Sequence, residues 1–317
     1  MLTRTEEEQN SWPRVAVVGA GAVGGYFGGL LALAGAPVIL VGRGKALVDA
    51  INANGLVIDR TTDSERIKIE ATTEIDAIQR AELVLFCVKS NDTVSAAQEM
   101  APFVREDAIV VSLQNGVDNV DKIRDVTKID ALPASVYVGV SVPKPGFIRH
   151  VGRGDIVLGP ESERTQWARE IFIRAQIPCR ITDNIDGEMW IKLLRNCALN
   201  AISALGRARY GQIAECADAR VLMQRVVDEV LALAKAANVT LPGIPDSAAG
   251  MAAAMQIATE LAGAFSSTAQ DMQRERVSEI DSLNGYVARR GAELGVAVPV
   301  NHALFTLVKL AEQSFSG

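Results

Sequence analysis

In Met189-Trp190-Ile191-Lys192-Leu193-Leu194-Arg195-Asn196-Cys197-Ala198-Leu199-Asn200, the polar residues Lys192, Asn196 and Asn200 recur at every fourth position. A helix sets such residues in one line along its length. A lysine followed by two asparagines presents donors and acceptors in a row, which is what a polar ligand requires. The plain alternative is a solvent face, the usual meaning of a polar stripe, but asparagine is a poor choice for an exposed helix surface. A second group follows in Ser266-Ser267 with Asp271, then Glu279 and Asp281 ahead of Asn284-Gly285. Ser267 as the N-cap of a following helix, with Asp271 in its first turn, explains both without a ligand. Glu279 and Asp281 read equally well as surface charges.

The segment from Arg14 to Arg43 carries no charge between its two arginines and is long enough to cross a bilayer. Small residues spaced as Gly21 and Gly25 are even suit packing between membrane helices. Its glycines and Pro37 nevertheless make it a poor continuous helix. A second parse accounts for the glycines. Val15 to Val18 reads as a buried parallel strand, Gly19-Ala20-Gly21-Ala22-Val23-Gly24 as GxGxxG at the strand's end, Tyr26 to Ala34 as a helix closed by Gly35, and Pro37 to Val41 as the next strand. In that unit the first glycine permits the tight turn, the second lets backbone approach a pyrophosphate, and the third lets helix pack on strand, while helix amides hold the phosphates. Gly19, Gly21, Ala22 and Gly24 are therefore expected to bind a dinucleotide, and no membrane span is expected.

Where an NAD enzyme sets a carboxylate on the ribose 2′-hydroxyl, at the end of the second strand, this chain has Val41-Gly42-Arg43 and then Lys45. The guanidinium of Arg43 suits a 2′-phosphate, so NADPH/NADP+ is the expected cofactor. The alternative is a solvated loop arginine. Open α/β sheets bind ligands beyond the carboxyl ends of their strands, which points to Lys89, after Phe86-Cys87-Val88, and to Gln114-Asn115-Gly116. Lys89 suits a phosphate or a substrate carboxylate, or is simply a solvated strand end.

The elements that must position these residues divide the chain in two. Residues 1–12 read as a flexible acidic tail, 13–182 as a Rossmann-type doubly wound α/β domain, and 183–317 as an all-helical domain. Strands are expected at Leu83 to Val88, Ala108 to Leu113, Val136 to Val140 and Ile156 to Leu158, with a hairpin of Leu56-Val57-Ile58 and Ile67-Lys68-Ile69. Helices are expected near 186–204, 217–237, 247–264, 269–294 and 302–313. A chain of 317 residues has room for two such cores. Hydrophobic residues at 49% and charged ones at 22% suit a soluble globular protein. A net charge of -6 argues against a nucleic-acid partner. Four scattered cysteines and two histidines argue against a metal site. Met1 to Asn10 lacks the basic start and apolar core of a signal peptide, so a cytoplasmic protein is expected. Apolar faces of the C-terminal helices would serve either the core or a homodimer interface.

Taken together, Gly19-Ala-Gly-Ala-Val-Gly24, Cys87-Val-Lys89, Gln114-Asn-Gly116, Trp190-Ile-Lys192 with Asn196 and Asn200, Ser266-Ser267 with Asp271, and Ser278-Glu279-Ile-Asp281 before Asn284-Gly285 resemble the ketopantoate reductase family over nearly the whole chain. The resemblance implies a Rossmann domain, a helical C-terminal domain, an active site in the cleft between them, and NADPH-dependent reduction of 2-dehydropantoate to pantoate in vitamin B5 synthesis. It also implies roles. Lys192 would be the general acid, and Glu279 would bind the substrate hydroxyl and orient the lysine. Asn196, Asn200 and Ser267 would hydrogen-bond the substrate, Asn115 would sit by the nicotinamide, and Lys89 and Arg43 would hold the cofactor's phosphate-bearing parts. The likeness departs at Ala264, where the family often has asparagine, at Thr268, commonly methionine, and near Tyr210, where better-known members place an asparagine. Two rival readings remain: a reductase of a different 2-oxoacid, and a non-catalytic NADPH sensor, which would need neither Lys192 nor Glu279.

Overall fold

The computed structural model describes residues 11–60 and 62–316. The strands are β1 Val15–Val18, β2 Val38–Val41, β3 Leu56–Asp59, β4 Ser64–Ile67, β5 Glu70–Thr72, β6 Leu83–Phe86, β7 Ile109–Ser112, β8 Leu132–Lys144, β9 Phe147–Leu158 and β10 Cys179–Ile181. They form one mixed sheet in the order β4-β3-β9-β8-β7-β6-β1-β2-β5, with β10 paired to β9. At the centre of the parallel part, β1, β2 and β6 are short and wholly apolar, as strands covered by helices on both faces must be. Alternation along β1 shows this directly: Val15 and Val17 belong to one hydrophobic cluster, Ala16 and Val18 to another.

In the same half, α1 Ala22–Leu33 and α2 Lys45–Asn54 flank β2, α3 Thr93–Met100 and α4 Asn119–Thr127 follow β6 and β7, and α5 Glu163–Arg174 precedes β10. The remainder is helical: α6 Ile185–Gly206, α7 Tyr210–Glu215, α8 Ala217–Ala236, α9 Ser247–Glu260, α10 Ser267–Gln273, α11 Asn284–Leu294 and α12 Pro299–Glu312. Its core is built on Trp190, Leu194, Cys197, Val226, Val230 and Val287 among others. The fold is thus a Rossmann-type α/β half followed by a helical half. By their contacts, the described residues up to Gln114 join Asp118–Ile185 in one unit, and Asn115–Val117 join the described residues from Asp186 onward in the other. A single cut at residue 183 misses this excursion, which carries Asn115 into the helical unit.

Several elements differ from the sequence expectation. The strands expected at 136–140 and 156–158 are pieces of the long antiparallel pair β8 and β9, whose register shifts near Tyr137, Gly139 and Ser141. The intervening Arg149, His150, Gly152, Arg153 and Gly154 lack strand alternation, and Arg153 takes a positive φ of 56°, so they read as loop. The helix expected at 269–294 is two helices. Between them, 274–283 is irregular apart from a 3-10 turn at Ile280–Ser282. The helix expected at 247–264 stops at Glu260, because the carbonyls of Ala262 and Ala264 are taken by the amides of Gly211 and Tyr210. Of the expected tail, residues 1–10 lie outside the described residues. Trp12 is no tail residue, since it packs on the first core with the Arg174 guanidinium 3.9 Å over its ring. The apolar stretch that suggested a membrane span folds as β1, loop, α1 and β2, and among the described residues no helix is long and apolar enough to cross a membrane.

Candidate active site

In the α/β unit, the loop from β1 into α1 has the shape that its glycines require. Gly19 has a φ of +103°, and a Cβ there would lie 2.6 Å from the Cys87 carbonyl carbon and the Val88 nitrogen. Gly24 is pressed so closely on the strand that a Cβ would meet the Gly19 oxygen at 2.2 Å. A Cβ on Gly21, between them, would meet nothing within 4 Å. Ala22 opens α1, whose first turn has no acidic residue and no side-chain cap. The first amides of a helix have no partner within it, and here open space lies over Gly21. These residues fit the pyrophosphate of a dinucleotide.

Arg43 follows β2 with its side chain 73% exposed and forms an ion pair with Asp92. Lys45 pairs with Asp49 at 3.2 Å. Lys89 is half-buried at the entry to the short turn Ser90–Asp92. Gln114, which the sequence put among the ligand candidates, is instead a buried tie between strand ends. Its Nε2 donates to the Val88 carbonyl at 3.0 Å and to Thr93 Oγ1 at 2.8 Å, while its Oε1 accepts from Ser112 at 3.0 Å.

In the helical unit, α6 carries Lys192, Asn196 and Asn200. Lys192 and Asn196 are half-buried, and Asn200 is only 2% exposed. Asn200 is held at both ends of its amide: Oδ1 accepts from the Tyr210 hydroxyl at 3.0 Å, and Nδ2 donates to Ser267 Oγ at 3.3 Å. Burial raises the pKa of Tyr210, which keeps the hydroxyl protonated as the donor. The N-cap of α10 is Ser266, not Ser267: its Oγ accepts from the Ala269 amide at 3.0 Å and donates to the Asn200 carbonyl at 3.0 Å. Ser267, relieved of capping, is an exposed residue whose hydroxyl is left to Asn200. Ala264 contributes its carbonyl to the Tyr210 amide. The Thr268 hydroxyl is buried with no hydrogen-bond partner among the described residues.

Asn115 donates through Nδ2 to Glu279 Oε2 at 3.0 Å, a pairing of residues 164 positions apart. The turn bearing Glu279 is anchored from behind. Glu312, 6% exposed, accepts from both the Ser278 amide at 2.8 Å and the Ser278 hydroxyl at 2.6 Å. Lys309 bonds to Asp281 at 2.9 Å, and that hydrogen bond leads the causes raising the lysine's pKa. The structure therefore joins Asn115 with Glu279 and Asn200 with Ser267, and sets Arg43 on Asp92. Sequence reading missed Tyr210 as a partner of Asn200, and missed Glu312 and Asp92 altogether. The local spacing of Lys192, Asn196 and Asn200 was visible, but nothing local marks contacts between distant segments.

Residues 15–163 match the family described as ketopantoate reductase PanE/ApbA, and residues 184–312 match its C-terminal counterpart. The 2-dehydropantoate 2-reductase of Pyrococcus horikoshii is 32% identical over 310 residues, covering 96% of this chain and 99% of that protein. The crystal structure of a PanE/ApbA family ketopantoate reductase from Ralstonia eutropha is 43% identical, covers 96% of this chain and all of its own, and superposes with a TM-score of 0.89. A D-mandelate dehydrogenase solved with NADH and anilino(oxo)acetate reaches the same TM-score at 22% identity, which is likeness of fold alone. Fold and relatives together define an oxidoreductase built from a Rossmann-type half and a helical half. Within that class, the chain belongs to the ketopantoate reductase family.

Proposed function

We propose that the protein reduces the 2-keto group of 2-dehydropantoate, giving pantoate for pantothenate synthesis, with NADPH as reductant. The observation that carries the reading is the polar line on α6, where Lys192 and Asn196 precede an Asn200 whose amide is fixed toward the hydroxyl of Ser267. A ligand with a carboxylate and a ketone needs such a row of donors. When bound, the reduced nicotinamide supplies the hydride that adds to C2. As the carbonyl electron pair moves to oxygen, Lys192 gives that oxygen a proton as general acid, so the product leaves as the neutral alcohol. Asn196, Asn200 and Ser267 hold the substrate. Glu279 takes the substrate's hydroxyl and orients Lys192; Asn115 steadies Glu279 and would sit beside the nicotinamide. Gly19, Gly21, Ala22 and Gly24 would seat the pyrophosphate, and Arg43 and Lys89 would hold the phosphate-bearing parts.

Steady-state oxidation of NADPH by the purified protein, run with ketopantoate beside a panel of other 2-oxoacids, tests the reading. Turnover selective for ketopantoate is expected. Turnover with another 2-oxoacid alone would move the substrate, with Tyr210, Ala264 and Thr268 as the residues to examine. Cofactor binding without turnover on any acid would favour an NADPH sensor.

A further inference from the structure

Asp92 stands at the N-cap of α3, where an aspartate ordinarily accepts a hydrogen bond from its own helix's amides. Here it makes no such bond. Its carboxylate, 30% exposed, is turned instead onto the guanidinium of Arg43, which lies 49 residues earlier at the end of β2. The neighbouring cation is treated likewise, Lys45 lying 3.2 Å from Asp49 one turn along α2. At the strand end where a 2′-phosphate would be read, both cations thus already carry a carboxylate partner, and the four side chains sum to no net charge. A dianionic phosphate arriving there must share Arg43 with Asp92 or displace it, whereas the uncharged 2′-hydroxyl of NADH meets no such competition.

We propose that Asp92 is a cofactor-selectivity residue: by holding Arg43, it reduces the advantage of NADPH over NADH. The inference rests on the proposed placement of the dinucleotide on the glycine loop, and its test separates the two claims. NADPH and NADH are each titrated into the wild type, Asp92→Asn, Arg43→Ala and the double variant, following nucleotide fluorescence at low ionic strength. Arg43 is exposed and Asp92 is partly so, so the variants should fold, and the readout is binding rather than turnover. Asp92→Asn is expected to tighten NADPH by about two- to fivefold, the scale of an exposed ion pair, with a gain that shrinks as salt is added and with NADH nearly unchanged. Arg43→Ala is expected to weaken NADPH about tenfold or more, the scale of a hydrogen bond to a charged group. In the Arg43→Ala background, the Asp92→Asn gain should disappear, because the two residues act as a coupled pair. Weaker NADPH binding in Asp92→Asn, an equal gain for NADH, or a gain that persists without Arg43 would each overturn the role of Asp92. If Arg43→Ala changed neither cofactor or both equally, the reading of Arg43 as a 2′-phosphate ligand would itself fall.

Discussion

Tyr210 decides which way the Asn200 amide points. Its hydroxyl lies 3.0 Å from Oδ1, an atom that only accepts, so the tyrosine donates and Nδ2 is left to face Ser267. Tyr210→Phe keeps the ring in the core but removes that donor from a buried oxygen, a loss of about 1–3 kcal/mol in stability. The freed amide should also raise the KM for the 2-oxoacid with little change in NADPH affinity. A KM equal to that of the wild type would show that Asn200 needs no such support. Lys192→Ala should lower kcat by about 10²-fold or more, the scale of a lost general acid, and leave NADPH binding nearly intact. Unchanged kcat would remove Lys192 from the chemistry. The line of Lys192, Asn196 and Asn200 was legible in the sequence because a repeat of four lies within one helix. Its partners were not, because Tyr210 and Ser267 come onto it from separate segments.

The turn before α11 shows what helix periodicity cannot carry. The residues from 269 to 294 look continuous by composition, yet Ser278 is drawn out of helix by two hydrogen bonds to Glu312 at the far end of α12. This break gives Glu279 its place opposite Asn115. Glu312→Ala would remove the acceptor of both Ser278 hydrogen bonds and the carboxylate 3.5 Å from Lys309, so a loss of about 1–3 kcal/mol is expected in urea unfolding. Glu312→Gln, which keeps an acceptor, should recover most of it. If both variants unfold at the wild-type midpoint, Glu312 does not hold the turn. By contrast, β1, the glycine loop, α1 and β2 were legible because each signal is local: a β-branched run, glycines at fixed spacing, then an apolar helix. The β8 and β9 pair was legible only at its apolar stretches, since its bulged and glycine-rich part is specified by pairing across the hairpin.

At the scale of the whole chain, the two halves were legible from the change of period after the last strand, whereas the passage of Asn115–Val117 into the helical unit was not. Both halves bury thiols, and burial sets a pH dependence for the fold. Burial pushes the Cys179 thiol up to about 12 from 9.0 and also raises Cys87 and Cys197. Below pH 9 these thiols are protonated whether the chain is folded or unfolded, so their contribution to stability is fully present. Above it the unfolded chain ionises while the folded one resists, and stability falls as pH climbs toward the raised values, by about 1.4 kcal/mol per pH unit for each thiol so held. Urea midpoints measured from pH 7 to 11 should therefore be level at first and drop beyond 9. A midpoint that rises across that range would contradict the burial of these groups.

The most direct test of the proposed reaction is to supply NADPH carrying deuterium as its transferable hydrogen, with ketopantoate and the purified protein, and to identify the product by mass spectrometry. Pantoate bearing one deuterium at C2 is expected, at a rate that Lys192→Ala cuts by about 10²-fold. Unlabelled pantoate, or intact ketopantoate beside a protein that binds NADPH, would contradict hydride transfer to the 2-keto carbon at this site.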